Sequence, residues 1–319
     1  MRTLIKDANF PHDEEGKVYH IGVKYGQVAN RILTVGDHVR AKAIAECLDS
    51  EAEAGHPTFV YVSKRNFLTI TGRYKGVPVS IMAIGMGNPM MDFFIRETRA
   101  VVTGTMAVVR FGSCGSLTLE APPGAVVVPK GGYCIRRNID YFADHPINQD
   151  LKKTPYLISG LFSADPDLTK RLSENVTKTV AKLSVGGPVL SDGLNADGCS
   201  FYSSQGRKDS RFWDDNEHVI KQALALHPDT HSLEMETSML FHLAKCARGE
   251  KIRAAGCMQV FADRVGNDFI RPEVVEVLEP AVGAASLDTL IETPIEDEMD
   301  EIGTVWERAA PLCNNNKAL

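Results

Sequence analysis

Between Phe201 and Glu236 the chain sets out side chains suited to a flat heterocycle and a sugar: Phe201-Tyr-Ser-Ser-Gln205-Gly-Arg207, then Glu234-Met-Glu236. A Gln amide offers a donor and an acceptor, and an Arg guanidinium offers a fork of donors and no acceptor. Two residues apart and behind an aromatic ring, they match a ring edge of alternating carbonyl and N–H groups. Uracil carries such an edge. The two Glu carboxylates are acceptors of the kind that hold ribose hydroxyls. Phe201 has a plainer alternative as a core residue, and Glu234 as the cap of a helix.

Two loops upstream put Arg beside Gly. In Val35-Gly36-Asp37-His38-Val39-Arg40, Gly36 exposes backbone amides at a helix start, which is a natural anion site, and Arg40 follows one turn later. In Val109-Arg110-Phe111-Gly112-Ser113-Cys114-Gly115, an Arg, a hydroxyl and Gly-exposed amides converge at a strand end. Two guanidinium forks suit a phosphate dianion, because each pairs with two oxygens at once. Arg110 closes an apolar strand, and Arg is seldom buried without a partner. Gly85-Met-Gly-Asn-Pro-Met90 begins like a dinucleotide-binding turn but has Met at the third Gly, so NAD is not expected.

These loops need a scaffold. Short apolar runs that end in Gly read as buried strands: Arg31–Gly36, Val77–Ile84 and Met106–Phe111, the last closed by a Gly112–Gly115 loop. Phe59–Ser63, Phe67–Thr71, Val126–Val128, Pro188–Leu190 and Ile252–Phe261 also read as extended. Helices are expected from Asp37, after Gly87 for about a dozen residues, and over 166–183, 212–226, 235–247 and 272–291. The alternation predicts an α/β fold, one domain over 1–319 with a mixed central β-sheet flanked by helices. Residues 1–19 read as a polar arm, and 292–319 as a solvated tail with the acidic run Glu296–Glu301.

The 319 residues are 44% hydrophobic, ample for a buried core, and the net charge of −6 gives no basic footprint for nucleic acid or an anionic membrane. No apolar run approaches a membrane span and the N-terminus lacks a long apolar stretch, so a cytoplasmic location is expected. The seven cysteines are scattered and form no Cys-x-x-Cys pair, which favours reduced thiols over a disulfide framework or zinc site. His227 and His231 flank a loop without a clear third ligand and read as a surface pair.

Taken in order, the Gly36-Asp-x-x-Arg40 turn, Ser63-Lys-Arg65-Asn-Phe67, Gly85-Met-Gly-Asn-Pro89, Arg110–Gly115, Phe201-x-x-x-Gln205-x-Arg207 and Glu234-Met-Glu236 resemble one family. It is the nucleoside phosphorylase family of the hexameric purine and uridine type, and within it the uridine phosphorylases. The resemblance spans roughly residues 18 to 290 and rests on the order of the loops rather than on any one. It implies reversible phosphorolysis of uridine, with deoxyuridine as a second candidate, to uracil and ribose 1-phosphate. Inorganic phosphate is then a co-substrate and no cofactor is required.

Carried over by motif, Gly36, Arg40, Arg110 and Ser113 would bind phosphate, with Arg65 reaching in from a neighbouring subunit. Met235 and Glu236 would hold ribose, and His20 would meet its 5′-hydroxyl across a dimer interface. Phe201, Gln205 and Arg207 would read uracil beside Cys114 and Gly115, with Arg264 behind Arg207 and Asp263 next to it. The resemblance therefore implies a homodimer with shared sites, as does a length close to that of eukaryotic members. In the reaction it implies, preorganised donors at Gln205 and Arg207 would stabilise charge on the departing base. Phosphate held beneath C1′ would attack in place of a free encounter.

Some positions depart from the family pattern. Relatives that bind an interface cation use a Glu, a carbonyl and a Ser, where this chain has Asn66, Met86 and Met90; Asp92 nearby could rebuild a site for a harder cation. Asp263 stands where uridine phosphorylases tend to have Asn and purine-type members an Asp that protonates the base. The rival readings are a purine nucleoside phosphorylase, a nucleosidase that uses water, and a non-catalytic nucleoside-binding or storage protein. The Arg set argues against the nucleosidase.

Overall fold

The computed structural model describes residues 4–147, 150 and 153–308, so part of the expected tail and Cys313 lie outside the described residues. A mixed sheet of fourteen strands forms the middle layer. Its main path runs 156–158, 131–137, 194–198, 230–234, 106–116, 31–35, 77–83, 68–74 and 59–62. The helices His38–Ala45, Pro166–Val180 and Pro272–Glu292 cover one face; Asn88–Val101 and Thr237–Cys246 cover the other.

The central strands are buried on both faces. Leu33, Val35, Val109 and Phe111 pack towards the long C-terminal helix, while Ile32 and Val108 point to the opposite core with Met82 and Phe94. That is why these segments read as continuous apolar runs and not as alternating ones. The expected mixed α/β sheet flanked by helices is what the structure contains. Near the N-terminus, Ile5–Lys6 pairs with His12–Asp13 as a separate two-stranded sheet.

Two expected boundaries move. Met106–Ser116 is one strand, so Gly112–Gly115 is not a closing loop. Ile252–Asp263 runs parallel along its whole length and satisfies one edge throughout. The helix expected over 212–226 begins only at Val219. Asp214, Asp215 and Asn216 precede it, side chains that favour turns and caps, and Asp215 takes a left-handed φ of 44°.

Strands Gly131–Arg137, Leu194–Gly198 and Thr230–Glu234 were not expected from the sequence. They carry buried polar groups that bond one another: Ser232 donates to Asn195 Oδ1 at 2.9 Å, and Asn195 donates to Glu234 at 2.6 Å. Gly132 is fixed by close approach, since a Cβ there would sit 2.2 Å from the Ser238 hydroxyl.

Strand 106–116 is the hinge of the sheet. On its free edge, Arg31–Val35 pairs in parallel as far as Arg110, and Thr230–Glu234 pairs antiparallel at Gly115 and Ser116. Between them, Phe111 to Cys114 pair with neither strand, and the sheet forks open there. Ligand sites of open α/β sheets gather outside strand carboxyl ends where the order changes.

Candidate active site

A cavity of about 370 Å³ fills the fork, walled by Gly36, Arg40, Arg110, Ser113 to Gly115, Phe201, Gln205, Arg207 and Leu233 to Glu236. Two grooves are larger, about 720 and 520 Å³. The first lies beside helix Pro166–Val180 between Lys130 and Lys170, the second between Arg136, Arg137 and the start of helix Asn88–Val101. Neither receives the converging strand ends, so the smaller cavity is the candidate site.

Two guanidinium groups mark one end. Asp37 caps helix His38–Ala45 by accepting from the Arg40 N–H at 2.9 Å, which sets Arg40 on the first turn facing inward. Arg40 Nε and Nη2 donate to Glu279 Oε1 at 3.0 and 2.7 Å, and Nη2 also donates to Ser113 Oγ at 2.7 Å. The rings of Phe111 and Phe261 lie 5.1 and 5.9 Å from the guanidinium. Arg110 donates Nη2 to Glu236 Oε2 at 2.9 Å, while its buried Nε and Nη1 find no acceptor among the described residues. Two buried donors without an acceptor, on a residue that lines the cavity, leave hydrogen-bonding capacity that an anion can fill.

Sequence reasoning missed Glu279. It lies in the long C-terminal helix between buried Leu278 and Val282, and in sequence it is one of three glutamates at three-residue spacing, Glu273, Glu276 and Glu279, with nothing but its apolar neighbours to mark it out.

The middle wall is acidic and buried. Glu236 Oε1 accepts from the Gly87 N–H at 2.5 Å, where Gly87 adopts φ 99°, open to glycine alone at low cost. Glu234 accepts from the Asn195 amide, from the Glu236 and Thr237 N–H groups and from the Thr237 hydroxyl, at 2.6 to 3.0 Å. It thus tethers the start of helix Thr237–Cys246, the capping role open to it from sequence. Burial, with Glu236 beside it, nevertheless raises its carboxyl to about 7; Arg110 and the donors oppose this. Asp197, buried near both glutamates, is pushed well above the ordinary carboxylate range, and its Oδ2 accepts from the Met239 N–H at 3.1 Å.

Between a usual value near 4.5 and a folded value of about 7, the native state keeps a proton on Glu234 that the unfolded chain releases. That stabilisation is complete below the unfolded value and is lost as pH rises through the folded one. Urea midpoints should therefore fall from pH 5 to pH 8, and Glu234→Gln should flatten the slope in part, Asp197 supplying the remainder. An undiminished slope in the variant would refute the assignment.

At the far end, Arg207 lies with its guanidinium 3.9 Å from the centre of the Phe201 ring, and its Nε donates to the Phe201 carbonyl at 3.0 Å. Phe201 is 48% exposed, so it is no core residue. Gln205 is buried. Arg264 donates to the Gln205 carbonyl at 3.1 Å, so its hydrogen bond supports Gln205, where Arg207 had been expected. Burial and the facing Arg264 both lower the pKa of Arg207. The Cys114 thiol is buried beneath this end, and burial holds it well above the usual thiol range.

Besides Arg264, four expected residues fall outside this cavity's wall. Asp263 accepts from the Val265 N–H at 2.8 Å and closes its own turn. Asp92 pairs with Arg96 at 2.8 Å one helical turn on. Arg65 is exposed and donates to the Tyr19 hydroxyl at 3.0 Å. His20 Nδ1 lies 2.6 Å from Glu97 Oε1, and its ring stacks 3.9 Å from Phe93.

Of the positions weighed for a cation, Asn66 sits in a left-handed turn with its carbonyl 2.9 Å from His38 Nε2, and Met86 is 79% exposed at the cavity mouth. Met90 packs against the core. Among the described residues no group of three or more His, Cys, Asp or Glu is arranged to hold a metal. His227 is half-buried: its ring lies 4.0 Å from Tyr133 and its Nε2 is 3.0 Å from the Ser159 carbonyl. His231 lies within strand Thr230–Glu234.

Residues 30–286 match the Phosphorylase superfamily. A solved structure from a structural and catalytic study of two uridine phosphorylases in the oomycete Phytophthora capsici is 40% identical, covers 91% of this chain and all of that one, and superposes with a TM-score of 0.83. A uridine phosphorylase of Thermococcus kodakarensis is 29% identical over 269 residues, 82% of this chain and 83% of that protein. A DeoD-type purine nucleoside phosphorylase of Oceanobacillus iheyensis is 27% identical over 225 residues, 70% of this chain and 80% of that protein. With the matched span reaching from the first central strand well into the last long helix, the chain belongs to the Phosphorylase superfamily.

Proposed function

We infer that this protein is a uridine phosphorylase, which transfers the ribosyl group of uridine or deoxyuridine to inorganic phosphate and releases uracil. The observation that carries the reading is Arg110, buried, paired to Glu236 through one nitrogen and presenting two unpartnered donors at the strand fork. Phosphate sits against Arg110, Arg40, Ser113 and the Gly36 amides, and ribose lies along Met235 and Glu236. The base reaches Gln205 and Arg207 between Phe201, Cys114 and Gly115. As the C1′–N1 bond breaks, positive charge gathers on the sugar next to phosphate and negative charge on the base next to Arg207. The chemistry uses phosphate and needs no further group.

Charge balance supports a shared site. Arg40 already faces Glu279 and Arg110 already faces Glu236, so a phosphate dianion calls for another cation. Arg65 of a second copy supplies it, with His20 of that copy at the ribose 5′-hydroxyl, in a cytoplasmic homodimer. Among the described residues no helix is long and apolar enough to cross a membrane. The Asp263 carboxylate is engaged in its own turn, which favours a pyrimidine over a purine base.

The test is release of free base from uridine and from inosine, each with and without phosphate. Phosphate-dependent uracil release with inosine inert is the expected result. Inosine turnover would give specificity to Asp263, and release without phosphate would overturn the phosphate site.

A further inference from the structure

We propose that Asn216 is a positioning residue for the base, a staple that holds Gln205 and Arg207 in place. This rests on the base-reading role given to those two residues above. Asn216 is buried, and its side-chain NH₂ donates to the Ser203 carbonyl at 3.0 Å and the Arg207 carbonyl at 2.8 Å. One amide group, with two hydrogens in fixed geometry, thus closes both ends of the segment that carries the base readers. Within the segment, Arg207 N–H donates to the Tyr202 carbonyl at 3.0 Å and Gly206 N–H to the Ser203 carbonyl at 3.1 Å.

The staple is itself anchored. The Asn216 carbonyl accepts from the Val219 N–H at 3.3 Å at the start of helix Val219–Leu226. Two residues earlier, the Asp214 carbonyl accepts from the Tyr156 hydroxyl at 2.6 Å, which ties this stretch to the sheet. Gly206, at φ 62°, lies against Val219 and Ile220, where a Cβ would come within 3.2 and 3.0 Å. Gln205 and Arg207 are therefore braced from two sides: Arg264 holds the Gln205 carbonyl, and Asn216 holds the carbonyls at either end. Arg40, Arg110 and Glu236 stand on other elements and receive no hydrogen bond from Asn216.

That separation makes the role testable. Asn216→Asp keeps the shape but removes both hydrogens and sets a carboxylate against two carbonyls. Asn216→Ala removes the donor without adding charge, as a second variant should the first fail to fold. For either, kcat/KM for uridine should fall about 10- to 100-fold, while KM for inorganic phosphate stays within about twofold of wild type. A loss of folded protein would lower kcat and leave both KM values unchanged, so a rise in KM for uridine alone is the diagnostic shift. Equal shifts in the two KM values, or an unchanged uridine kcat/KM in a folded variant, would overturn the proposal. If the wild-type protein turned over inosine and not uridine, the uridine reading would fail. The same comparison with inosine would still decide whether Asn216 positions the base segment.

Discussion

Arg110→Ala should lower kcat/KM for uridine phosphorolysis by about a thousandfold or more, the scale on which loss of a preorganised donor is felt. The side chain is 4% exposed and is fixed to Glu236 at 2.9 Å, so it cannot be replaced by a solvated cation nearby. Its removal does two things. It takes away the two free donors at the strand fork. It also leaves Glu236 in a buried group with Glu234 and Asp197, facing no guanidinium at that corner. Breaking one side of such a pair costs roughly 3–5 kcal/mol of stability. The double variant Arg110→Ala with Glu236→Gln should recover much of that stability and none of the activity, because both lost donors are still missing. Arg110→Lys should also be strongly impaired, since an ammonium has no planar fork. The decisive readout is KM for phosphate, and a value unchanged in a folded Arg110→Ala protein would remove the proposed phosphate site.

The strands on which Arg110 and Gly36 stand could be read from sequence because both of their faces are apolar. Arg31–Val35 and Met106–Phe111 carry short, β-branched-rich apolar runs closed by Gly, a length and punctuation that favour a buried strand over a helix. Thr230–Glu234 and Leu194–Gly198 could not be read in this way. Their buried polar groups satisfy one another across the sheet, and such pairing is invisible until the strands are adjacent. The same division runs through the cavity wall. Gly beside Arg at a strand end is a local signal, whereas Glu279 meets Arg40 across 239 residues of chain. Nothing near Glu279 distinguishes it from a solvated helix carboxylate except its apolar neighbours. Asn216 is a further case, since an Asn in Asp-Asp-Asn reads as a turn former and only the folded loop shows what it bonds.

Two inactive variants, mixed, should make an active enzyme. Arg65 and His20 lie outside the cavity wall of their own chain yet share one corner of its surface. Arg65 donates to the Tyr19 hydroxyl at 3.0 Å, and the Tyr19 and His20 rings meet edge to face at 5.0 Å. Glu97 fixes that corner from beneath, accepting from the His20 and Ile21 N–H groups at 2.9 and 2.8 Å. A cation held away from its own cavity, beside one whose two arginines already face carboxylates, fits a group delivered to a second copy. In a two-fold dimer each chain lends its corner to the other, so the two exchanges are equivalent. Arg65→Ala should then break the partner's site, and Arg207→Ala should break its own. In a mixed dimer, the site on the Arg65→Ala chain has its own Arg207 and an intact Arg65 from its partner. Random re-association of equal amounts makes half the dimers mixed, with one good site in two, so activity should return to about a quarter of wild type. Mixing without exchange of subunits should give only the sum of the two residual rates. If that sum persists after subunit exchange has been demonstrated, Arg65 does not act across an interface and each chain completes its own phosphate site.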